Sequence, residues 1–142
     1  MRNILIITGI SGAGRTTAVK TLEDLGYYCI DNLPVPLFNQ FLHLMRASGA
    51  KYTHIGIAID SRSRDFFERD FQTLSHLVKK HKIKVLYLDA SDEVILRRYR
   101  ESRRKHPLDT GLGASLAVTE ERQFLEKLRL MSDFTIDSSS LN

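Results

Sequence analysis

Asn3-Ile4-Leu5-Ile6-Ile7-Thr8-Gly9-Ile10-Ser11-Gly12-Ala13-Gly14-Arg15-Thr16 decides how this chain folds, because an apolar run passes into a glycine-rich turn and then into a helix. Ile4, Leu5, Ile6 and Ile7 are consecutive apolar residues, the pattern of a strand buried on both faces, so Asn3 to Thr8 reads as a strand. Thr16 to Leu25 reads as a helix: Ala18, Val19, Leu22 and Leu25 recur at helical spacing, and Gly26 stops it. The residues between, Gly9-Ile10-Ser11-Gly12-Ala13-Gly14-Arg15-Thr16, have the spacing G-x-x-x-x-G-K-[ST] of a Walker A phosphate loop, with arginine where lysine is usual. Glycines let the backbone wrap a phosphate so that successive N–H groups point inward, and the helix start adds partial positive charge. Thr16 would place its hydroxyl on Mg²⁺, and the side chain of Arg15 would reach the β- and γ-phosphates of ATP or GTP. The plainer reading is a strand-to-helix turn rich in glycine for tight packing. Spacing, cation, threonine and flanking elements agree on the phosphate loop. Guanidinium is a planar fork and ammonium a compact point charge, so Arg15 is expected to preserve binding and weaken hydrolysis.

Outward from this stretch the chain alternates strands with helices. Tyr27 to Ile30 reads as a short second strand ending at Asp31. Pro34 and Pro36 fit the start of a helix running to about Ala47, with Phe38, Phe41, Leu42 and Met45 as its apolar stripe. A third strand, Ile55 to Ile59, ends at Asp60; a helix follows from Arg64 to Lys80. Val85 to Leu88 ends at Asp89, and Asp92 to about Lys105 reads as a helix interrupted by Pro107. Leu108 to Ala117 has two glycines and little periodicity, so a mobile loop is expected there. A last helix spans Thr119 to Met131 and a fifth strand Phe134 to Ile136, ending at Asp137. The alternation predicts an α/β fold: a three-layer sandwich of the P-loop NTPase (kinase-like) kind around a mostly parallel five-stranded sheet. The chain stops at Ser138 to Asn142, straight after that strand, which reads as a domain boundary or a truncation.

With 142 residues, 42% apolar and 27% charged, the composition is that of one soluble globular domain. Its apolar runs fall far short of the roughly 20 residues a membrane span needs, and no basic n-region followed by a long apolar h-region opens it, so a secretory signal is not expected. Cys29 is the one cysteine, so no internal disulfide is possible and a reducing cytoplasm is the expected setting. The formal charge of +4 suits a phosphate-bearing ligand and is too small to imply nucleic-acid binding by itself.

Predicted strands end in Asp31, Asp60, Asp89 and Asp137, and ligands of parallel α/β sheets collect at strand carboxyl ends. Asp60 is the better candidate for a second metal-site carboxylate beside Thr16; Asp89 is its rival, with helix capping by Asp89 or Ser91 as the structural reading. Arg97, Arg100 and Arg104 share a helical face and stand as candidates to neutralise a transferred phosphoryl group beside a lid; the plainer reading is a solvated basic face. The five histidines show no zinc-like spacing, and Cys29 reads as core.

Gly9 to Thr16, followed by Leu22-Glu23-Asp24-Leu25-Gly26-Tyr27-Tyr28-Cys29-Ile30-Asp31-Asn32-Leu33-Pro34, resembles the RapZ/YvcJ family of bacterial nucleotide-binding proteins, also called RNase adapter proteins. Further matches are Asp60-Ser61-Arg62-Ser63, Leu96-Arg97-Arg98-Tyr99, Arg103 to Leu108 and Asp133 to Asn142, so the likeness covers nearly the whole chain. It implies an amino-terminal domain of kinase-like fold that binds and slowly hydrolyses ATP and GTP. By the same resemblance Gly9 to Thr16 would be the ATP loop, and Asp60, Ser61, Arg62 and Ser63 the GTP stretch. Family members carry a carboxyl-terminal domain that binds small RNAs and guides RNase E to them, a domain this chain is expected to lack. Three functions therefore stand open: a nucleotide-sensing regulatory domain with weak hydrolysis and a protein partner, a small-molecule kinase with an arginine-rich lid, and an RNA-binding module.

Overall fold

Ile6 and Ile7 are both fully buried although they point to opposite faces of one strand, so β1 (Asn3–Gly9) has to run through the middle of its sheet. The computed structural model, which describes residues 3–59, 64–102 and 113–140, places it there. The five strands follow the order β2-β3-β1-β4-β5, with β2 at Tyr28–Asp31, β3 at His54–Ala58, β4 at Lys84–Asp89 and β5 at Phe134–Asp137. Every pairing is parallel. The registers set Gly9 beside Leu88 and Asp89 beside Asp137, so the strand carboxyl ends form one edge of the sheet.

Helices cover both faces. On one side lie α2 (Phe38–Ala47), α3 (Arg64–Lys80) and most of α5 (Ala114–Met131). They pack Phe38, Phe41, Leu42, Leu74, Leu125 and Leu128 onto Ile6, Ile55, Ile57, Val85 and Tyr87. On the other side α1 (Arg15–Asp24) and α4 (Asp92–Ser102) pack Ala18, Leu22, Val94 and Ile95 onto Ile7 and Leu88. Small residues let α1 come close: a Cβ on Gly56 would stand 2.9 Å from Cys29 Sγ and 3.3 Å from Ile7 Cδ1. Cys29 is therefore packing, and burial followed by the nearby charge of Glu23 pushes its thiol pKa up.

Local signals set most boundaries. Gly26 turns left-handed after α1, its N–H bonding Glu23 O while the N–H of Tyr27 bonds Leu22 O, the paired bonds of a Schellman cap. The proline segment forms a short 3₁₀ turn, Val35–Leu37, and the α-helix begins after it at Phe38. One boundary is corrected: α5 starts at Ala114, so residues 114–117 are helical where a loop was expected, because Ala117 and Val118 already belong to its buried stripe. The rest of the expected loop, 108–112, and the expected end of α4 beyond Ser102 lie outside the described residues. Among the described residues no helix is long and apolar enough to cross a membrane.

Candidate functional site

β1 ends at Gly9, where only glycine fits, because a Cβ there would meet Leu88 O at 2.1 Å. Ile10 follows and donates its N–H to Leu88 O at 3.1 Å, with its side chain buried against Ile95 and Val118. The chain then turns back on itself, Ala13 N–H reaching Ile10 O at 3.1 Å. Gly12 and Gly14 adopt φ of 90° and 105°, a left-handed geometry that costs an L side chain strain and a glycine nothing. Gly14 caps α1, and Arg15 opens that helix half-buried, with Thr16 exposed beside it. Thr16 and Thr17 lie in the first turn, where an α-helix offers no carbonyl to its own N–H groups and carries its positive dipole end. The result is a curled strand-to-helix turn suited to an anion.

Side chains from far along the sequence hold this turn. The two outward carbonyls are taken first: Arg98 Nη1 on α4 donates to Gly12 O at 2.7 Å, and the Ser138 hydroxyl donates to Ala13 O at 2.7 Å. Arg98 also donates through Nη2 to Ser138 O at 2.6 Å, tying the end of β5 to the same spot. At the start of the turn, Glu121 on α5 is fully buried and accepts from the N–H of Ser11 at 2.8 Å and from its hydroxyl at 2.6 Å. The next residue on α5, Arg122, grips the neighbouring β4–α4 turn through Asp89 Oδ1 at 2.8 Å, Asp92 Oδ1 at 2.6 Å and the carbonyl of Ala90. Burial works against the charge of Arg122, but its hydrogen bonds to Asp89 and Asp92 outweigh that and raise its pKa.

The expected site residues separate into three groups. Gly9, Ile10, Ser11, Gly12, Ala13, Gly14, Arg15 and Thr16 come together as the turn just described. Asp60, Ser61, Arg62, Ser63 and Arg104 lie outside the described residues. Arg97 and Arg100 sit exposed on α4, Arg97 within 4.0 Å of Glu101. Asp89 is engaged by Arg122 and by the N–H of Ala90, while Ser91 caps α4 through Val94 N–H at 3.2 Å. The Ser139 hydroxyl and then its N–H hold the carboxyl of Asp137 below the ordinary carboxylate range. Among the described residues no cluster of three or more His, Cys, Asp or Glu could hold a metal ion.

Four residues that matter here were given no role in the reading of the sequence: Arg98, Ser138, Glu121 and Arg122. Two carried a signal. Buried positions of α5 run Ala117, Val118, Glu121, Leu125, Leu128, so the carboxylate occupies a place where helical periodicity calls for an apolar residue. Arg98 and Tyr99 stand three and four residues after Ile95, which is fully buried, and so face inward while Arg97 does not.

Comparison with known proteins shows the family and the fold. A family model described as the RapZ-like N-terminal domain matches residues 2–142. A nucleotide-binding protein of Pelobacter propionicus is 45% identical over 142 residues, covering 98% of this chain and 49% of that protein. One of Bacillus velezensis is 43% identical over 141 residues, covering 97% and 48%. The chain thus spans about half the length of the curated relatives it matches. Among solved structures, the shikimate kinase of Bacteroides thetaiotaomicron superposes with a TM-score of 0.54 at 19% identity, over 95% of this chain and 86% of that one. A sugar kinase from a Janibacter species gives 0.56 at 18%, over 96% and 86%. At such identities the likeness establishes the fold, that of the P-loop kinases.

Proposed function

The chain belongs to the RapZ-like N-terminal domain family, and on that premise we propose that it is a regulatory domain that binds ATP or GTP with Mg²⁺ and hydrolyses them weakly at most. One observation carries the reading. The turn from Gly9 to Thr16 is curled, with glycines at left-handed φ at 12 and 14, and the carbonyls of Gly12 and Ala13 are tied outward by Arg98 and Ser138. Carbonyls held away leave the concave side to N–H groups and to the helix dipole, which is the electrostatics a polyphosphate needs. Thr16, exposed in the first turn of α1, fits one Mg²⁺ ligand; Asp60 is proposed as the carboxylate partner, and Asp60 to Ser63 as a second nucleotide contact. Arg15 supplies charge to the β- and γ-phosphates without the compact geometry of lysine. A protein partner of a regulatory pathway would read the nucleotide state, and RNA contacts are assigned to the part of the longer relatives that this chain does not span.

Calorimetric titration with ATP and GTP, with and without Mg²⁺, tests the binding: saturable, Mg²⁺-strengthened binding is expected, and a folded chain that gives no heat with either nucleotide refutes it. Arg15→Lys tests the chemistry; turnover should rise at similar affinity, and unchanged turnover removes the role given to Arg15. The rival reading, a small-molecule kinase using Arg97, Arg100 and Arg104, predicts that labelled ATP phosphorylates a sugar, nucleoside or small acid. We expect no labelled acceptor, since the α4 arginine that reaches the turn, Arg98, is engaged on Gly12 O and Ser138 O.

A further inference from the structure

We propose that Glu121 is a positioning residue for the nucleotide turn, holding Ser11 so that the amides after it are turned inward before any phosphate arrives. The inference rests on the nucleotide reading above and deepens it.

Three observations carry it. First, both carboxylate oxygens of Glu121 are used on one residue, Oε1 accepting from Ser11 N–H at 2.8 Å and Oε2 from its hydroxyl at 2.6 Å. Two bonds to one residue fix its orientation as well as its place, and bonds to a carboxylate are the strong ones. Second, Glu121 has no accessible surface, at a stripe position where a leucine would pack without losing the hydration of a charge. A carboxylate there is tolerated only with its donors in place, so Ser11 and Glu121 hold each other to one geometry. Third, α5 lends side chains to both cores, Val118 to the cluster around Ile10 and Ile95, Leu125 and Leu128 to the cluster beneath α3. Glu121 lies between them, so the carboxylate is delivered by a helix anchored on either side of it. Since Ser11 N–H is spent on Glu121 and Ala13 N–H on Ile10 O, a phosphate would meet the amides of Gly12 and of the residues from Gly14 onward. Arg98 and Ser138 restrain the same stretch from its carbonyl side.

A pre-set turn binds its ligand without first being ordered, so loosening it lowers affinity by the fraction of molecules left competent. The experiment compares Glu121→Ala, Glu121→Gln and Ser11→Ala by ATP titration with Mg²⁺, and by hydrogen exchange of amides 10–16 in the nucleotide-free protein. Glu121→Ala should cost about tenfold or more in ATP affinity and speed exchange in the turn. Glu121→Gln should recover both to within about threefold, because its carboxamide oxygen still accepts from Ser11 N–H and its NH₂ can donate to the hydroxyl. Ser11→Ala, which keeps the N–H bond, should fall between. A folded Glu121→Ala protein with exchange and ATP affinity both unchanged overturns the proposal. If Glu121→Ala does not fold, Ser11→Ala decides it by the same two readouts. If the unsubstituted chain binds neither ATP nor GTP, the nucleotide reading is what has failed, and exchange alone then judges the hold of Glu121 on the turn.

Discussion

The two faces of the sheet are held by different physics. Under α2, α3 and α5 the contact is broad and apolar, with Phe38, Leu74, Leu125, Leu128 and Tyr87 all essentially without solvent access. That core is dry enough that burial, and then the charge of Asp89, pushes the Tyr87 phenol up to about 12. The face under α1 and α4 is thinner. α1 has no buried residue, and the cluster relies on small or medium side chains such as Ala13, Ala90, Val94 and Ile95. Here position is set by directed bonds: Glu121 to Ser11, Arg98 and Ser138 to the turn carbonyls, Arg122 to the β4–α4 turn. Apolar contact is strong and non-directional, so it fixes which layers meet; hydrogen bonds are individually modest and geometric, so they fix where a backbone turn points. The turn proposed to bind nucleotide sits on the face where direction matters more than burial.

Substitutions that separate the two terms probe this contrast. The largest loss is expected from Leu128→Ala on the broad face, about 2–5 kcal/mol of stability from lost transfer energy and the cavity left behind. Denaturant unfolding measures it, while ATP affinity of the protein still folded should stay within about twofold; a tenfold loss would show that the faces are not separable. Arg122→Ala releases Asp89, Asp92 and the Ala90 carbonyl together and should cost about 1–3 kcal/mol, read by the same unfolding curves. A result near zero would mean that these partners are satisfied by water. Gly12→Ala places a Cβ 3.4 Å from the Tyr99 ring at a φ of 90°, so about 1 kcal/mol of strain is expected. Its mark should be on nucleotide affinity more than on unfolding, and the opposite pattern would argue against a turn that must keep its curl.

The smallest expected effect is a pH dependence far from the turn. Burial first, then Arg46, Lys80 and His76, holds the pKa of His81 below the ordinary imidazole value. The folded state thus binds this proton more weakly than the unfolded chain. Stability contributed here is present above about pH 6.5 and is lost as pH falls through the lower folded value. His81 is only partly buried, so the loss is small. A shallow decline of the unfolding midpoint between pH 7 and 5, flattened in His81→Asn, is the signature; an unchanged slope in the variant would assign the decline to other groups. Carboxylates held low, such as Asp137, act only in more acidic solution.

Much of this architecture could be read along the chain because its causes are local. The isoleucine run, the spaced glycines and the Gly26 stop each depend on a few neighbouring residues, and β1, the turn and α1 stand where they were expected. The start of α5 was misjudged because the two glycines at 111 and 113 obscured a stripe that begins at Ala117. The restraints on the turn were not readable in advance, since Arg98, Glu121 and Ser138 lie 86, 110 and 125 residues from the atoms they hold. The arginine chosen from helical spacing, Arg97, is exposed; its neighbour Arg98, about 100° further round the helix, is the one at the turn.

By itself, then, the sequence determined the layers, the parallel alternation and the place of the glycine-rich turn, because periodicity and backbone freedom are properties of adjacent residues. Tertiary structure alone decided which strands became neighbours and which distant side chains grip that turn. Only packing of both cores brings Glu121, Arg98 and Ser138 within hydrogen-bond reach of residues 11–13, and no rule of spacing encodes a distance across a fold.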